Sequence, residues 1–332
     1  MKTIAENSNL IEVRNLVKYF PIYSRGVFFK KQAGNVHAVD GISFDIKKQE
    51  TFALVGESGC GKTTTARLIL NLIEPTSGEI LFKGENVVEK FKSGTKEEKL
   101  GLRRKMQLIF QNPYGSLDPR MTVCDIVSEP LIIHKRVPKK EQCERVYELL
   151  KLVGLEEYHG ERYPHEFSGG QRQRICIARA LAVEPEFIVA DEPVSSLDVS
   201  IRAQILNLLG DLQRTMGLSF LYISHDLSSV RQISQRVGVM YLGEIVEMAD
   251  TDELFDKPLH PYTEALIEAV PIPDPKVVTY KPALRGEVPS PITPPSGCRF
   301  RSRCPRAKPF CGEKRPELIE ASEGHYVACF QK

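Results

Sequence analysis

The sequence predicts an α/β fold whose core is a parallel sheet built from alternating strands and helices. A glycine-rich turn, GESGCGKT, separates a strand-like segment from a helix-like one. Two further segments, FIVADEP at 187–193 and SFLYISHD at 219–226, start as apolar runs and end in polar residues, as expected of parallel strands covered on both faces. A helical pattern at 201–217 lies between them, which is typical of a strand-helix-strand unit.

Composition excludes few functions. The chain has 332 residues, with 45 Lys and Arg against 43 Asp and Glu, so charge gives no argument for a nucleic-acid or anionic-lipid partner. The first residues lack the apolar core of a signal peptide, and no apolar run approaches the roughly 18 residues that a membrane span needs. We therefore expect a cytoplasmic protein that acts at a membrane only through a partner.

Two strands are expected near the N-terminus, at 10–20 and 36–46, paired with each other and separated by a basic loop at 24–35. Tyr19 or Phe20, at the end of the first strand, can stack on a nucleotide base. The alternative is an ordinary core aromatic, because position is the only evidence for stacking.

The glycine-rich turn fits the pattern G-x-x-x-x-G-K-[ST] of a phosphate-binding loop. Its glycines allow a tight turn that points backbone N–H groups at an anion, and the helix that follows adds its positive dipole end. Lys62 then reaches the β- and γ-phosphates, and the Thr63 hydroxyl is placed to bind Mg²⁺. The alternative is a turn with no ligand. The candidate nucleotide-binding residues are Gly56, Glu57, Ser58, Gly59, Cys60, Gly61, Lys62, Thr63 and Thr64.

The middle of the chain has a different pattern. β character returns at 76–82, and the strand MQLIF leads to Gln111. From 113 to 167 the pattern is helical, which indicates a helical subdomain inserted into the α/β core. Ser168 is placed as the N-cap of the next helix. The expected inward-facing residues are Val146, Leu149, Leu150 and Val153 in the insert and Ile175, Ala178 and Leu181 in that helix.

Four polar residues follow the predicted strands and are the candidates for chemistry on a bound nucleotide. Asp191 can hold the water shell of Mg²⁺, and Glu192 can orient and deprotonate the attacking water. Gln111 can reach both the metal and that water, and His225 can donate a hydrogen bond to the γ-phosphate. The alternatives are an acidic pair that only begins a loop and a histidine satisfied within the core.

At this point the sequence resembles the ATP-binding cassette (ABC) proteins. FSGGQ at 167–171 resembles their signature, with Phe167 where leucine is usual, and SSLD at 195–198 resembles their D-loop. The narrower resemblance is to the ATP-binding subunit of dipeptide and oligopeptide importers, carried by IFQNPYGSLDPRMTV, HPYTEAL and the cysteine-bearing tail. It implies a P-loop NTPase (RecA-like) ABC cassette at 1–257, with an antiparallel β subdomain, a helical subdomain at about 112–170, and a C-terminal cysteine-rich extension at 258–332.

The resemblance also implies partners. Two cassettes close head to tail around two ATP molecules, so that Ser168, Gly169, Gly170 and Gln171 of one chain meet the nucleotide on the other chain's Lys62 loop, and Asp198 of the D-loop joins that site. The expected partners are a second ABC ATPase subunit, more in keeping with a heterodimer than a homodimer, two transmembrane permease subunits, and, indirectly, an extracytoplasmic peptide-binding protein. The expected function is ATP hydrolysis coupled to peptide import at the cytoplasmic face of the membrane.

Four cysteines crowd the end of the chain in the order C-x5-C-x6-C-x17-C, after a proline-rich segment at 271–297 that reads as a linker. Cys298, Cys304, Cys311 and Cys329 suit a [4Fe–4S] cluster, since Cys-Pro is common beside such clusters and the C-x2-4-C pairs of structural zinc are absent. Zn²⁺, or free or paired thiols, are the alternatives. The neighbouring Arg299, Arg301, Arg303 and Arg306 either offset thiolate charge or form a solvated basic face.

Three other functions fit parts of the pattern: a soluble ABC ATPase of DNA repair or translation, a nickel importer subunit, and a redox-responsive regulator that binds ATP. The first usually has tandem cassettes or long coiled-coil insertions, and this chain has one cassette with a short helical insert.

Overall fold

The computed structural model describes residues 9–24, 31–270 and 286–331. The strands are β1 (Asn9–Ser24), β2 (Lys31–Lys47), β3 (Thr51–Val55), β4 (Ser77–Phe82), β5 (Glu85–Asn86), β6 (Met106–Ile109), β7 (Phe187–Asp191), β8 (Ser219–Ser224), β9 (Arg236–Tyr241), β10 (Glu244–Asp250), β11 (Ile319–Ser322) and β12 (His325–Val327). The α-helices are α1 (Lys62–Ile69), α2 (Val87–Ser93), α3 (Lys96–Lys105), α4 (Pro113–Ser116), α5 (Val123–Ile133), α6 (Gln142–Leu152), α7 (Gly169–Leu181), α8 (Val199–Met216), α9 (Leu227–Ile233), α10 (Thr251–Asp256) and α11 (Pro261–Glu268). Short 3₁₀ segments lie at Glu157–Glu161, Pro164–Glu166 and Pro309–Gly312.

The described chain forms two compact units. The first unit contains Ile46–Thr51 and Glu89–Ile223, and the second contains Ile11–Asp45, Phe52–Val88 and the chain from Ser224 onward. The α/β fold predicted from the sequence is confirmed. The predicted boundary between 257 and 258 remains a prediction.

The first unit is built on the parallel strands β6, β7 and β8. Met106 pairs with Phe187 in the first ladder, and Phe187 pairs with Ser219 in the second. All five residues of β7 are buried, as its unbroken apolar sequence predicts for a strand covered on both faces. Residues 110–186 contain helices and turns but no strand, and the predicted inward-facing residues of α6 and α7 are all buried.

The second unit has an antiparallel sheet in the order β2-β1-β4-β5, in which the two N-terminal strands are neighbours as predicted. Its other strands run in the order β11-β12-β10-β9-β3, with β3 parallel to β9 and the rest antiparallel. β9 and β10 form a hairpin that turns at Leu242 and Gly243, both at positive φ.

One predicted boundary is wrong. Residues 31–35, which we expected within a loop, belong to β2, and β1 extends to Ser24. Ladder hydrogen bonds between the two strands outweigh the weak β propensity of the polar residues here. The predicted strand MQLIF also ends early, at Ile109, so that Gln111 lies two residues beyond β6. Of the expected linker, residues 271–285 lie outside the described part of the chain. Within that part, no helix is both long and apolar enough to cross a bilayer.

Candidate functional site

The phosphate loop of the second unit connects β3 to α1 and requires glycine at two positions. Gly56 has φ 148°, and a Cβ there would lie 2.1 Å from the carbonyl oxygen of Met240. Gly61 has φ 113°, and its Cβ would lie 2.2 Å from the carbonyl oxygen of Ala38. Only a residue without a side chain allows these approaches, so the loop backbone is held tightly against its neighbours.

Lys62 lies within this loop and is 5% exposed. Its Nζ donates hydrogen bonds to the carbonyl oxygens of Gly56 over 2.7 Å and Glu57 over 3.1 Å. Gly61 is the N-cap of α1 and has no side chain to cap the first turn. The positive end of the helix and the ammonium group therefore lie on the same short loop, which is the arrangement that favours a phosphate.

Thr63 follows Lys62 in the first turn of α1, where a hydroxyl is expected to bind Mg²⁺. Cys60, also in the loop, is a buried free thiol. Burial raises its pKa, although the nearby Lys62 opposes the shift. The thiol is therefore protonated at neutral pH.

His225 lies near the phosphate loop, as the sequence predicts. Together with Val55, Gly56, Glu57 and residues of α9 and α11, it lines an open cleft of about 320 Å³. His225 directly follows β8 and Gly56 directly follows β3. Both therefore lie at the carboxyl ends of strands, where parallel sheets bind their ligands.

In the first unit the structure brings Gln111 and Glu192 together. Gln111 Nε2 donates a hydrogen bond of 2.8 Å to Glu192 Oε2. Glu192 has a positive φ of 46°, and its N–H donates to the carbonyl oxygen of Ile223 over 2.9 Å. A non-glycine residue held in this conformation is strained, and such strain is concentrated at functional sites. Asp191, the preceding residue, ends β7 and is 8% exposed.

The FSGGQ segment forms the start of α7. Ser168 Oγ accepts the N–H of Gln171 over 3.3 Å, and Gln171 Oε1 accepts the N–H of Ser168 over 3.0 Å, so the predicted N-cap is part of a full capping box. A Cβ on Gly170 would lie 2.4 Å from Cγ2 of Ile201 in α8. Asp198 is the N-cap of α8 without a side-chain cap hydrogen bond.

The two aromatic candidates differ in their surroundings. The Tyr19 hydroxyl donates to Asp40 over 2.5 Å, and burial together with this bond raises the pKa of Tyr19 to about 12. Phe20 is 37% exposed, with the ammonium of Lys18 5.0 Å from its ring centroid. The ring of Phe20 is therefore the more accessible of the two for stacking on a nucleotide base.

The four tail cysteines line one small cavity of about 20 Å³, together with His260 and Phe300. Cys298, Cys304 and Cys329 each accept a backbone N–H from the residue two positions further along, namely Phe300, Arg306 and Gln331. Such bonds favour thiolates. Burial, and then repulsion from neighbouring thiolates, raise the pKa of Cys298 to about 11.

Among the described residues, no group of three His, Cys, Asp or Glu side chains is placed to hold a metal ion. The [4Fe–4S] cluster and Zn²⁺ therefore both stay predictions from the sequence.

The tail arginines were expected either to offset thiolate charge or to be solvated. Although burial raises the pKa of Cys304 and Cys329, the charge of Arg306 opposes the shift, as expected, whereas Arg299 and Arg303 are buried in ion pairs. Arg299 pairs with Asp40 and Glu244, Arg303 pairs with Glu57, and Arg306 pairs with Glu264. Arg301 donates to Ser296 Oγ and the Gly312 carbonyl oxygen. Sequence reasoning missed the Arg303–Glu57 pair, which joins residues 246 positions apart. Its only signal was the density of arginines beside the tail cysteines.

Comparison with known proteins agrees with this geometry. Residues 39–195 match the family model "ABC transporter", and residues 246–311 match "Oligopeptide/dipeptide transporter, C-terminal region". The chain is 52% identical to the oligopeptide transport ATP-binding protein AppF of Bacillus subtilis, over 98% of each chain. It is 48% identical to the dipeptide transport ATP-binding protein DppF of Haemophilus influenzae, again over 98% of each chain.

Solved structures show the same cassette. The ATP-binding cassette MJ0796, solved as a dimer in a post-hydrolysis state with ADP and phosphate, is 30% identical, with a TM-score of 0.62 over 73% of this chain and 98% of that chain. The protein cbiO1 of Clostridium perfringens, part of the ABC transporter complex cbiONQ, is 27% identical, with a TM-score of 0.63 over 75% of this chain and 92% of that chain.

Proposed function

The chain belongs to the ATP-binding proteins of oligopeptide and dipeptide ABC transporters, and on that premise we propose that it binds and hydrolyses ATP to energise peptide import. The proposal rests on a complete phosphate loop around Lys62 in the second unit and, within the first unit, on the Gln111–Glu192 hydrogen bond at the end of parallel strands. The relatives are peptide transport proteins, so they lend no support to nickel import or to a role in DNA repair or translation.

Each site residue then has a role in hydrolysis. Lys62 and the N–H groups of the loop bind the phosphates, and Thr63 and Gln111 are the ligands we propose for Mg²⁺, which neutralises phosphate charge. Glu192 orients the attacking water and accepts its proton. Gln111 holds the Glu192 carboxylate through its own N–H. His225 donates to the γ-phosphate, and Phe20 stacks on the adenine.

We propose that hydrolysis requires two cassettes. The capping box at Ser168 fixes the start of α7, and Ser168 itself is exposed. The N-terminus of a helix suits a phosphate, here one held by another chain. The solved relative titled as a dimer with ADP and phosphate supports this arrangement. A heterodimer with a related ATPase chain remains our prediction. Closure around ATP and release after hydrolysis then drive the cycle.

The remaining partners are two permease subunits, which place the chain at the cytoplasmic face of the membrane. We propose α4 and α5 as the docking segment. Tyr114 is 61% exposed, and Ile132 and Ile133 are each 55% exposed, although large apolar side chains normally avoid water. Gln111, two residues before α4, links this segment to Glu192.

We also propose that Cys298, Cys304, Cys311 and Cys329 hold a [4Fe–4S] cluster. The shared cavity and the three N–H···S bonds support it. Protein purified without oxygen should contain about four irons and four acid-labile sulfides per chain. Colourless protein that contains one zinc instead would overturn the assignment.

The function itself is tested with the intact transporter. Affinity-tagged chain should recover its permease subunits from solubilised membranes, and the recovered complex in vesicles should accumulate peptide only with ATP. Recovery of DNA-repair or ribosomal proteins in place of permeases would contradict the proposal.

A further inference from the structure

Glu57, the second residue of the phosphate loop, is held on three sides. Its backbone N–H donates to the hydroxyl of Tyr262 over 2.8 Å, and its carbonyl oxygen accepts from Lys62. Its carboxylate accepts from both terminal nitrogens of Arg303, over 2.6 and 3.0 Å. Two of these three contacts come from the C-terminal part of the chain, so that part restrains the loop directly.

The Arg303–Glu57 ion pair is bidentate and is largely shielded from solvent. The Arg303 side chain is 4% exposed, against 28% for Glu57. Its guanidinium carbon lies 5.8 Å from the ring centroid of Tyr241. The hydrogen bonds to Glu57 raise the pKa of Arg303, although burial opposes the shift. A bidentate arginine in this setting fixes the orientation of the carboxylate, which a single point charge does not.

A second tail arginine reaches the residues around Tyr19, the neighbour of the proposed adenine contact Phe20. Arg299 donates to the carbonyl oxygen of Leu242 and to Asp40, and its Nε lies 2.5 Å from Glu244. Asp40 also accepts the hydroxyl of Tyr19. Although burial opposes it, the hydrogen bond from Tyr19 and the charge of Arg299 hold the pKa of Asp40 below its usual value, so the carboxylate remains charged.

An aromatic cluster connects these contacts to the cysteine cavity. Phe300, which lines that cavity and is 1% exposed, lies 5.3 Å from Tyr241 and 5.4 Å from Tyr262 between ring centroids. Tyr262 and Tyr241 are the residues that contact Glu57 and Arg303. Closely packed rings of this kind leave little room for relative movement. The tail is therefore held at a fixed position relative to the phosphate loop.

We propose that the tail segment 298–303 is a positioning element of the nucleotide site. Arg303 sets the shape of the phosphate loop through Glu57. Arg299 acts through Asp40, which fixes Tyr19, the residue next to Phe20. Neither arginine contacts the reacting atoms. The proposal rests on the proposed ATPase function and adds to it a role for the C-terminal region in nucleotide affinity.

The test measures equilibrium binding of a fluorescent ATP analogue to the full chain, with KM and kcat for ATP in the permease complex. Arg303→Gln should weaken binding and raise KM by about 10-fold, with a smaller change in kcat, since a shifted loop loses phosphate contacts. Arg303→Lys should recover only part of the affinity, because it cannot make both bonds. Arg214→Gln is the matched control, since Arg214 pairs with Asp211 on the exposed surface of α8, and it should bind as the wild type does.

A double variant separates positioning from general damage. If Arg303 acts through Glu57, the double variant Glu57→Gln with Arg303→Gln should bind the ATP analogue as tightly as whichever single variant has the lower affinity. Additive losses, or wild-type affinity in a folded Arg303→Gln chain, would overturn the inference. If the wild type itself binds no ATP, the proposed function fails instead.

Discussion

The amide of Gln111 holds the carboxylate of Glu192 through a 2.8 Å hydrogen bond between residues 81 positions apart. One oxygen of the carboxylate is thereby oriented, and the residue's positive φ of 46° fixes its backbone. A general base needs such placement because proton transfer depends on geometry before it depends on pKa.

We therefore expect Glu192→Gln to bind ATP normally and to hydrolyse it at least about 100-fold more slowly, since a positioned base contributes on this scale. Single-turnover hydrolysis and filter binding on the same preparation measure the two properties. If this variant hydrolysed ATP at the wild-type rate, another group would have to accept the proton.

Gly61→Ala should weaken ATP binding and lower stability by about 1–3 kcal/mol, because it forces a side chain into a strained conformation. Its Cβ would also meet the Ala38 carbonyl oxygen and Cε of Met240. Gly101→Ala, in α3 with open space around the added carbon, is the control and should be stabilised by about 0.5–1 kcal/mol. Thermal unfolding measures both, and equal shifts in the two variants would be inconsistent with a tight loop.

His260 makes stability depend on pH. Its Nδ1 accepts the N–H of Tyr262 over 3.1 Å, and burial lowers its pKa from 6.5 to about 3. Because the folded pKa lies below the unfolded one, only the unfolded chain gains this proton as the pH falls from 6.5 towards 3, and the folded state is progressively destabilised.

His260→Asn keeps a cap for α11 but does not titrate. Between about pH 6.5 and 5.5, wild type should lose about 1 kcal/mol more stability than this variant, as measured by urea unfolding. Parallel pH profiles would show that His260 is protonated in the folded chain.

Cys124 and Cys143 are expected to form a disulfide under oxidation. Their sulfurs lie 3.7 Å apart, one in α5 and the other in α6, and Cys143 is exposed. Hydrogen peroxide takes two electrons from the two thiols, which lose two protons, and the peroxide is reduced to water. Burial, then the bond to Cys143, raises the pKa of Cys124 to about 12, so the reaction should accelerate as pH rises.

Non-reducing peptide mapping measures this link, and Cys143→Ser is the control that should abolish it. Failure of the wild type to cross-link at alkaline pH would contradict the expected pairing. Cross-links from Cys143 to any other cysteine would do the same.

Local pattern was enough to predict the elements that carry the site. The glycines at 56 and 61, the unbroken apolar run of β7 and the cap at Ser168 each act within a few residues, so the sequence around them specifies them. The Gln111–Glu192 bond was anticipated as a shared site, because both residues follow neighbouring parallel strands. The Arg303–Glu57 and Arg299–Asp40 pairs were not, since a charged residue carries no sign of which distant partner it meets. Nor was the contact of Tyr262, whose hydroxyl accepts a hydrogen bond from the backbone N–H of Glu57.

The pair between Glu57 and Arg303 also has a consequence during synthesis. In a nascent chain the phosphate loop is made well before the arginine that steadies it, since Arg303 follows Glu57 by 246 residues. Tight nucleotide binding should therefore appear only once Arg303 has emerged from the ribosome and can reach the loop.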